Sequence, residues 1–122
     1  MELTKAAADV LAERQRQIDK EGWTPGHDDW HNEGEIAQAA AVYALGAATD
    51  KPERSVIDEF GTEGTPYRIR SLWPWAREWH KPRSRRADLV KAGALILAEI
   101  ERLDRAVPNA ELRGRPLADG PA

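Results

Sequence analysis

Cysteine is absent from the 122 residues, so the chain holds neither a disulfide framework nor a thiolate metal site. No apolar run approaches the roughly 18 residues needed to span a bilayer, and "MELTKAAADVLAERQRQ" becomes charged too early to contain a signal-peptide core. The expectation is a cytoplasmic protein with no membrane partner. Neither G-x-x-x-x-G-K-[ST] nor G-x-G-x-x-G occurs, no Ser-His-Asp or Cys-His nucleophile system is suggested, and strand-like alternation and internal repeats are missing. With a net charge of −3 and a pI of about 5.6, the chain also lacks the basic surface of a general nucleic-acid binder.

What is there is charge arranged by segment. Residues 19 to 35, which include "EGWTPGHDDWHNEGE", carry six acids against Lys20. Residues 77 to 91 carry six cations against Glu78 and Asp88. Hard divalent cations seek oxygen ligands, and phosphates seek Arg and Lys, so the two segments suit a metal and a phosphorylated ligand together.

The length fits one domain, with a helical unit at residues 1 to 106 and a Pro- and Gly-rich tail at 107 to 122 expected to fray. In the first helix Leu3, Ala7, Val10, Leu11 and Ile18 fall at helical spacing, between Thr4 as cap and Gly22 as stop. Its other face, with Glu13, Arg14, Gln17 and Glu21, reads as solvated. A second helix begins near Gly34, where Asn32 and Glu35 resemble a capping box ahead of "IAQAAAVYALGAA". Seven alanines in those thirteen residues allow close approach, so this helix is expected at the centre of the packing. A third helix spans about 84 to 106, started by Ser84, with Leu89, Ala92, Ile96, Ile100 and Leu103 on its inward stripe and Leu95 and Leu97 widening it. Such breadth points to a homodimer or tetramer built on helix packing.

Pro52, Gly61, Gly64, Pro66, Pro74 and Pro82 interrupt residues 49 to 83, leaving a short helix at 52 to 60 and an irregular, tryptophan-rich segment. Its three tryptophans, Trp73, Trp75 and Trp79, cover the core or line a pocket. His27 and His31 stand four apart, but Pro25 and Gly26 mark a loop and the glutamate of H-E-x-x-H is missing. The His27-Asp28 doublet likewise lacks the earlier histidine that HD-type phosphohydrolases need.

"EGWTPGHDDWHNEGEIAQAAAVYA" and "RRADLVKAGALILAEIERL" resemble the all-α nucleotide pyrophosphohydrolases of the MazG-like superfamily, over roughly residues 8 to 48 and 84 to 105. The chain also resembles small proteins encoded by bacteriophages and prophages. The resemblance implies an all-α MazG-like bundle of three main helices, dimerised, that holds a nucleoside triphosphate on Mg²⁺ or Mn²⁺ and cleaves it to monophosphate and pyrophosphate. That family places E-x-x-E on one helix and E-x-x-D on the next. Here the alanine-rich helix carries no such glutamate pair, with Tyr43 and Ala47 in the stretch where it is expected, Arg85 stands at the glutamate of E-x-x-D, and Asp88 alone matches. The candidate metal ligands are therefore Asp28, Asp29, Glu35 and Asp88, with Glu13 and Glu35 as catalytic candidates. Lys81, Arg85, Arg86 and Lys91 are the phosphate-holding candidates, and Trp23 and Tyr43 the base-stacking ones. A nucleotide-binding or sequestering protein without turnover, and a protein-interaction adaptor, remain open alternatives.

Overall fold

The computed structural model describes residues 2 to 106; the tail assigned to 107 to 122 lies outside the described residues. The chain is all-helical there, with no strand among the described residues. The helices are α1 (Lys5–Glu21), α2 (Pro25–Asp29), α3 (Glu35–Ala47), α4 (Lys51–Phe60), α5 (Tyr67–Arg70) and α6 (Arg85–Ala106), with 3-10 turns at Gly61–Gly64 and Arg77–Trp79. None is long and apolar enough to cross a membrane.

Local chemistry sets most of the boundaries. Thr4 accepts a hydrogen bond from the Ala7 amide at 3.1 Å, and α1 stops at Gly22, whose φ of 72° favours a residue without Cβ. Asp50 caps α4 through the Glu53 amide at 2.9 Å, and Ser84 caps α6 through the Ala87 amide at 3.1 Å. The segment read as a loop at Pro25 is instead the one-turn helix α2: Thr24 accepts from the His27 amide at 3.2 Å and Pro25 supplies a preset φ in the first turn. Nor does Asn32 cap α3. Gly34 takes the cap position at φ 87°, and the Glu35 carboxylate folds back to accept from the Glu33 amide at 2.6 Å.

The α3 and α6 helices share the most extensive interface, and α1 lies along another side of α6. Ile36, Ala39, Ala40 and Tyr43 of α3 meet Ala92, Leu95 and Ala98 of α6, with Trp23, Trp73 and Trp75 packed against this core. Small side chains let the axes approach. Close approach also holds between α1 and α6, where a Cβ on Gly93 would stand 3.2 Å from the Val10 side chain.

Two inward faces differ from those read from periodicity. On α6 Ala92, Ala94, Leu95 and Ala98 point in, while Leu89, Ile96, Ile100 and Leu103 are each about half exposed. On α1 the buried residues are the polar Arg14 and Gln17, from the face read as solvated, whereas Leu11, and Leu3 just ahead of the helix, are exposed. The cause is pairing. Arg14 donates to Asp28 at 3.0 Å, to the Trp23 carbonyl at 3.2 Å and to Glu101 at 3.2 Å, which ties α1 to α2 and α6. Arg54 does the same across the molecule, donating to Asp58 at 2.8 Å and the Gly46 carbonyl at 3.2 Å and lying 2.8 Å from Asp88.

A two-chambered candidate site

The turn of Gly22 and the cap at Thr24 bring Trp23 and His27 beside the tryptophan segment, so that rings from distant parts of the sequence enclose one space. The resulting cavity, about 380 Å³, is lined by Glu21, Trp23, His27, His31, Trp75, Ala76 and Trp79. Trp23 and Trp75 stand 5.9 Å apart, Trp75 and His31 5.1 Å, and Trp73 buttresses Trp75 edge-on at 5.4 Å. Flat apolar walls with one carboxylate suit a planar, partly polar guest.

A second chamber of about 550 Å³ opens between α1 and the start of α6. Asp9, Glu13, Arg16 and Glu21 form its α1 side, facing Lys81, Arg83, Arg86 and Lys91. Arg16 holds Glu13 at 2.7 Å and Glu21 at 3.0 Å, and Arg86 lies 2.9 Å from Asp9, leaving cations in excess over acids. Between the two lies a small pocket lined by Gln17, Glu21, Trp79, Lys81 and Lys91 over Tyr43, with Glu21 shared by all three.

The side chains at this junction are tuned by their surroundings. The Lys91 ammonium donates to the Lys81 carbonyl at 2.7 Å and sits 5.2 Å above the Tyr43 ring; burial lowers its pKa. Burial pushes the Tyr43 hydroxyl up to about 12, so it stays neutral while accepting from the Lys81 amide at 3.0 Å. Burial alone would raise the Glu13 carboxyl, but bonds from Arg16 and Gln17 outweigh it and hold the group below its usual value. Glu13 is thus kept ionised.

The sequence-derived candidates divide accordingly. Glu13, Lys81, Arg86 and Lys91 line the basic chamber, Trp23 lines the aromatic one, and Tyr43 lies beneath the junction. Arg85 is placed elsewhere, donating to the Ala47 and Thr49 carbonyls, both at 2.6 Å, and so closing the end of α3. The four metal candidates line neither chamber. Asp28 is buried on Arg14, and Asp88 is buried between Arg54 and the Arg83 amide, from which it accepts at 2.9 Å. Asp29 pairs with Arg105 at 2.8 Å, and Glu35 faces His31 at 3.3 Å. Among the described residues no group of three or more His, Asp or Glu side chains is placed to hold one ion.

Sequence reasoning missed Arg16, Glu21, Arg83, His27 and His31 as lining residues. The signal for Glu21 was present, since Glu13, Gln17 and Glu21 stack at successive turns of α1. Together these features define an all-α protein with an aromatic chamber beside a cationic one. No protein-family model, curated protein or solved structure matches the chain.

Proposed function

We propose that the chain binds a nucleoside polyphosphate, with the base in the aromatic chamber and the phosphates in the basic one. The observation that carries this reading is the adjacency: rings and cations line two neighbouring spaces, and Glu21 borders both. Stacking on tryptophan suits any base, while Lys and Arg supply the charge that phosphates require. The resemblance to MazG-like proteins supports the same ligand class, a MazG-like fold and a cytoplasmic setting in a bacterium or a phage-infected cell.

Cleavage of a nucleoside triphosphate to monophosphate and pyrophosphate is a second reading, favoured by the ionised, half-buried Glu13 on the wall of the phosphate chamber. A carboxylate there can orient and deprotonate an attacking water. The Mg²⁺ or Mn²⁺ implied by the resemblance does not fit the four acids first considered for it. Asp28, Asp29 and Asp88 each face a guanidinium and Glu35 a histidine, so these carboxylates are already engaged. The reading also includes self-association. Leu89, Ile96, Ile100 and Leu103 form one exposed apolar stripe along α6, suited to the same stripe of a second copy.

Titration calorimetry with nucleoside triphosphates, inorganic tripolyphosphate and free nucleosides tests the ligand. A triphosphate is expected to bind more tightly than either part, and pyrophosphate release separates turnover from binding alone. Equal and negligible binding of all three overturns the reading.

A further inference from the structure

His27 and His31 have a chemistry that the nucleotide reading does not use. Both line the aromatic cavity, and their ring centres lie 4.9 Å apart. Two imidazoles bound to one tetrahedral ion through metal–nitrogen bonds of about 2.1 Å have ring centres about 5 Å apart. The observed spacing meets that condition.

Each ring is also oriented by an acid. His27 Nδ1 lies 3.3 Å from Asp28 Oδ1, and His31 Nδ1 lies 3.3 Å from Glu35 Oε2. A carboxylate beside Nδ1 favours the tautomer that carries its proton there, which leaves the Nε2 lone pair free; carboxylate–histidine–metal sites are built in this way. The acids are themselves fixed. Asp28 is held by the buried Arg14 at 3.0 Å, and Glu35 by the Glu33 amide at 2.6 Å. Trp23 stacks on His27 within 4° of parallel at 6.2 Å and Trp75 packs on His31, giving the pair an apolar surround.

We propose that His27 and His31 form a two-imidazole seat for a borderline divalent transition metal, Zn²⁺, Co²⁺ or Ni²⁺, inside the aromatic cavity. Nitrogen ligands select these ions over Mg²⁺ or Ca²⁺. With two protein ligands, the remaining coordination positions fall to water or to a donor atom of whatever occupies the cavity. Asp28 and Glu35 then orient the histidines from behind and do not themselves ligate. The seat stands independently of nucleotide binding.

Calorimetric titration of the full chain with Zn²⁺, and absorption titration with Co²⁺, are expected to show one ion per chain. Mg²⁺ is expected to give no comparable signal. His27→Gln and His31→Phe, which keep much of the side-chain volume without the paired lone pairs, are each expected to weaken binding at least tenfold. Glu35→Gln is expected to weaken it between about 10- and 100-fold, the usual effect of losing such an orienting group. In proton NMR, Zn²⁺ is expected to shift the ring protons of His27 and His31 and leave buried His80 unmoved, a readout that needs no variant. Absence of binding at millimolar Zn²⁺, binding by both variants as tight as that of the parent chain, or an unchanged pair of ring signals overturns the proposal.

Discussion

Asp28 and Asp88 lie as close to an arginine as Glu13 and Glu21 do, yet the two pairs of acids stand in opposite surroundings. The aspartates are 2% and 1% exposed and face arginines that are themselves buried, Arg14 and Arg54. The glutamates share Arg16 on the wall of an open chamber. Buried charge of this kind holds elements together, because removing one partner strands the other away from water. Charge on an open wall remains exchangeable for a ligand. The match of Asp88 to the E-x-x-D motif made it a candidate metal ligand, but its environment makes it a link between α4, α6 and the segment leading into α6.

The comparison is broken most directly at Asp88. Asp88→Asn is expected to lower unfolding free energy by about 3–5 kcal/mol, the usual cost of breaking a buried pair, seen as a lower urea midpoint with an unchanged slope. A loss below 1 kcal/mol would mean that Arg54 is satisfied without it. On the open wall the effect should move from stability to affinity. Arg86→Ala is expected to leave the melting temperature nearly unchanged and to weaken polyphosphate binding by about 1.5 kcal/mol, the low end for a bond to a charged group because the side chain is half exposed. Unaltered affinity would place the phosphates elsewhere.

His80 sharpens the contrast from the side of a base. It is buried between Tyr43 and Trp73, and burial together with the charge on Lys91 depresses its pKa from 6.5 to about 4. Thr62 donates to the His80 carbonyl and so accepts from Nδ1 at 3.0 Å, which fits a neutral ring. Since the unfolded chain binds this proton more readily, the contribution is complete above pH 6.5 and is lost as pH falls toward 4. His80→Gln is expected to flatten that part of the melting-temperature profile; an identical slope in the variant would contradict it. The smallest effect is expected at the exposed pair of Arg105 and Asp29, where Arg105→Ala should cost about 0.5 kcal/mol in thermal unfolding and less in high salt.

Helix spans were legible where a boundary residue acts locally. Thr4, Gly22 and Ser84 sit beside the groups they cap, so α1 and α6 could be placed nearly to the residue. Helix faces were less so. Alanine and leucine both count as apolar in a periodic pattern, but only small residues let α3 and α6 approach, and the bulky Ile96, Ile100 and Leu103 were left outside. Buried arginines were hidden for a different reason: Arg14 meets Asp28 across a turn, and Arg54 meets Asp88 across 34 positions. The basic wall was partly visible as a charge run, whereas the aromatic chamber unites Glu21 with Trp79 and needed the tertiary fold.

A titration followed by two-dimensional NMR tests whether the two chambers serve one ligand. Adding a nucleoside triphosphate is expected to shift the indole signals of Trp75 and Trp79 together with the backbone amides of Lys81 and Arg83, all saturating at one concentration. Indoles that stay unmoved while tripolyphosphate alone reproduces every amide shift would show that only the basic chamber is occupied, and would contradict the two-chambered account.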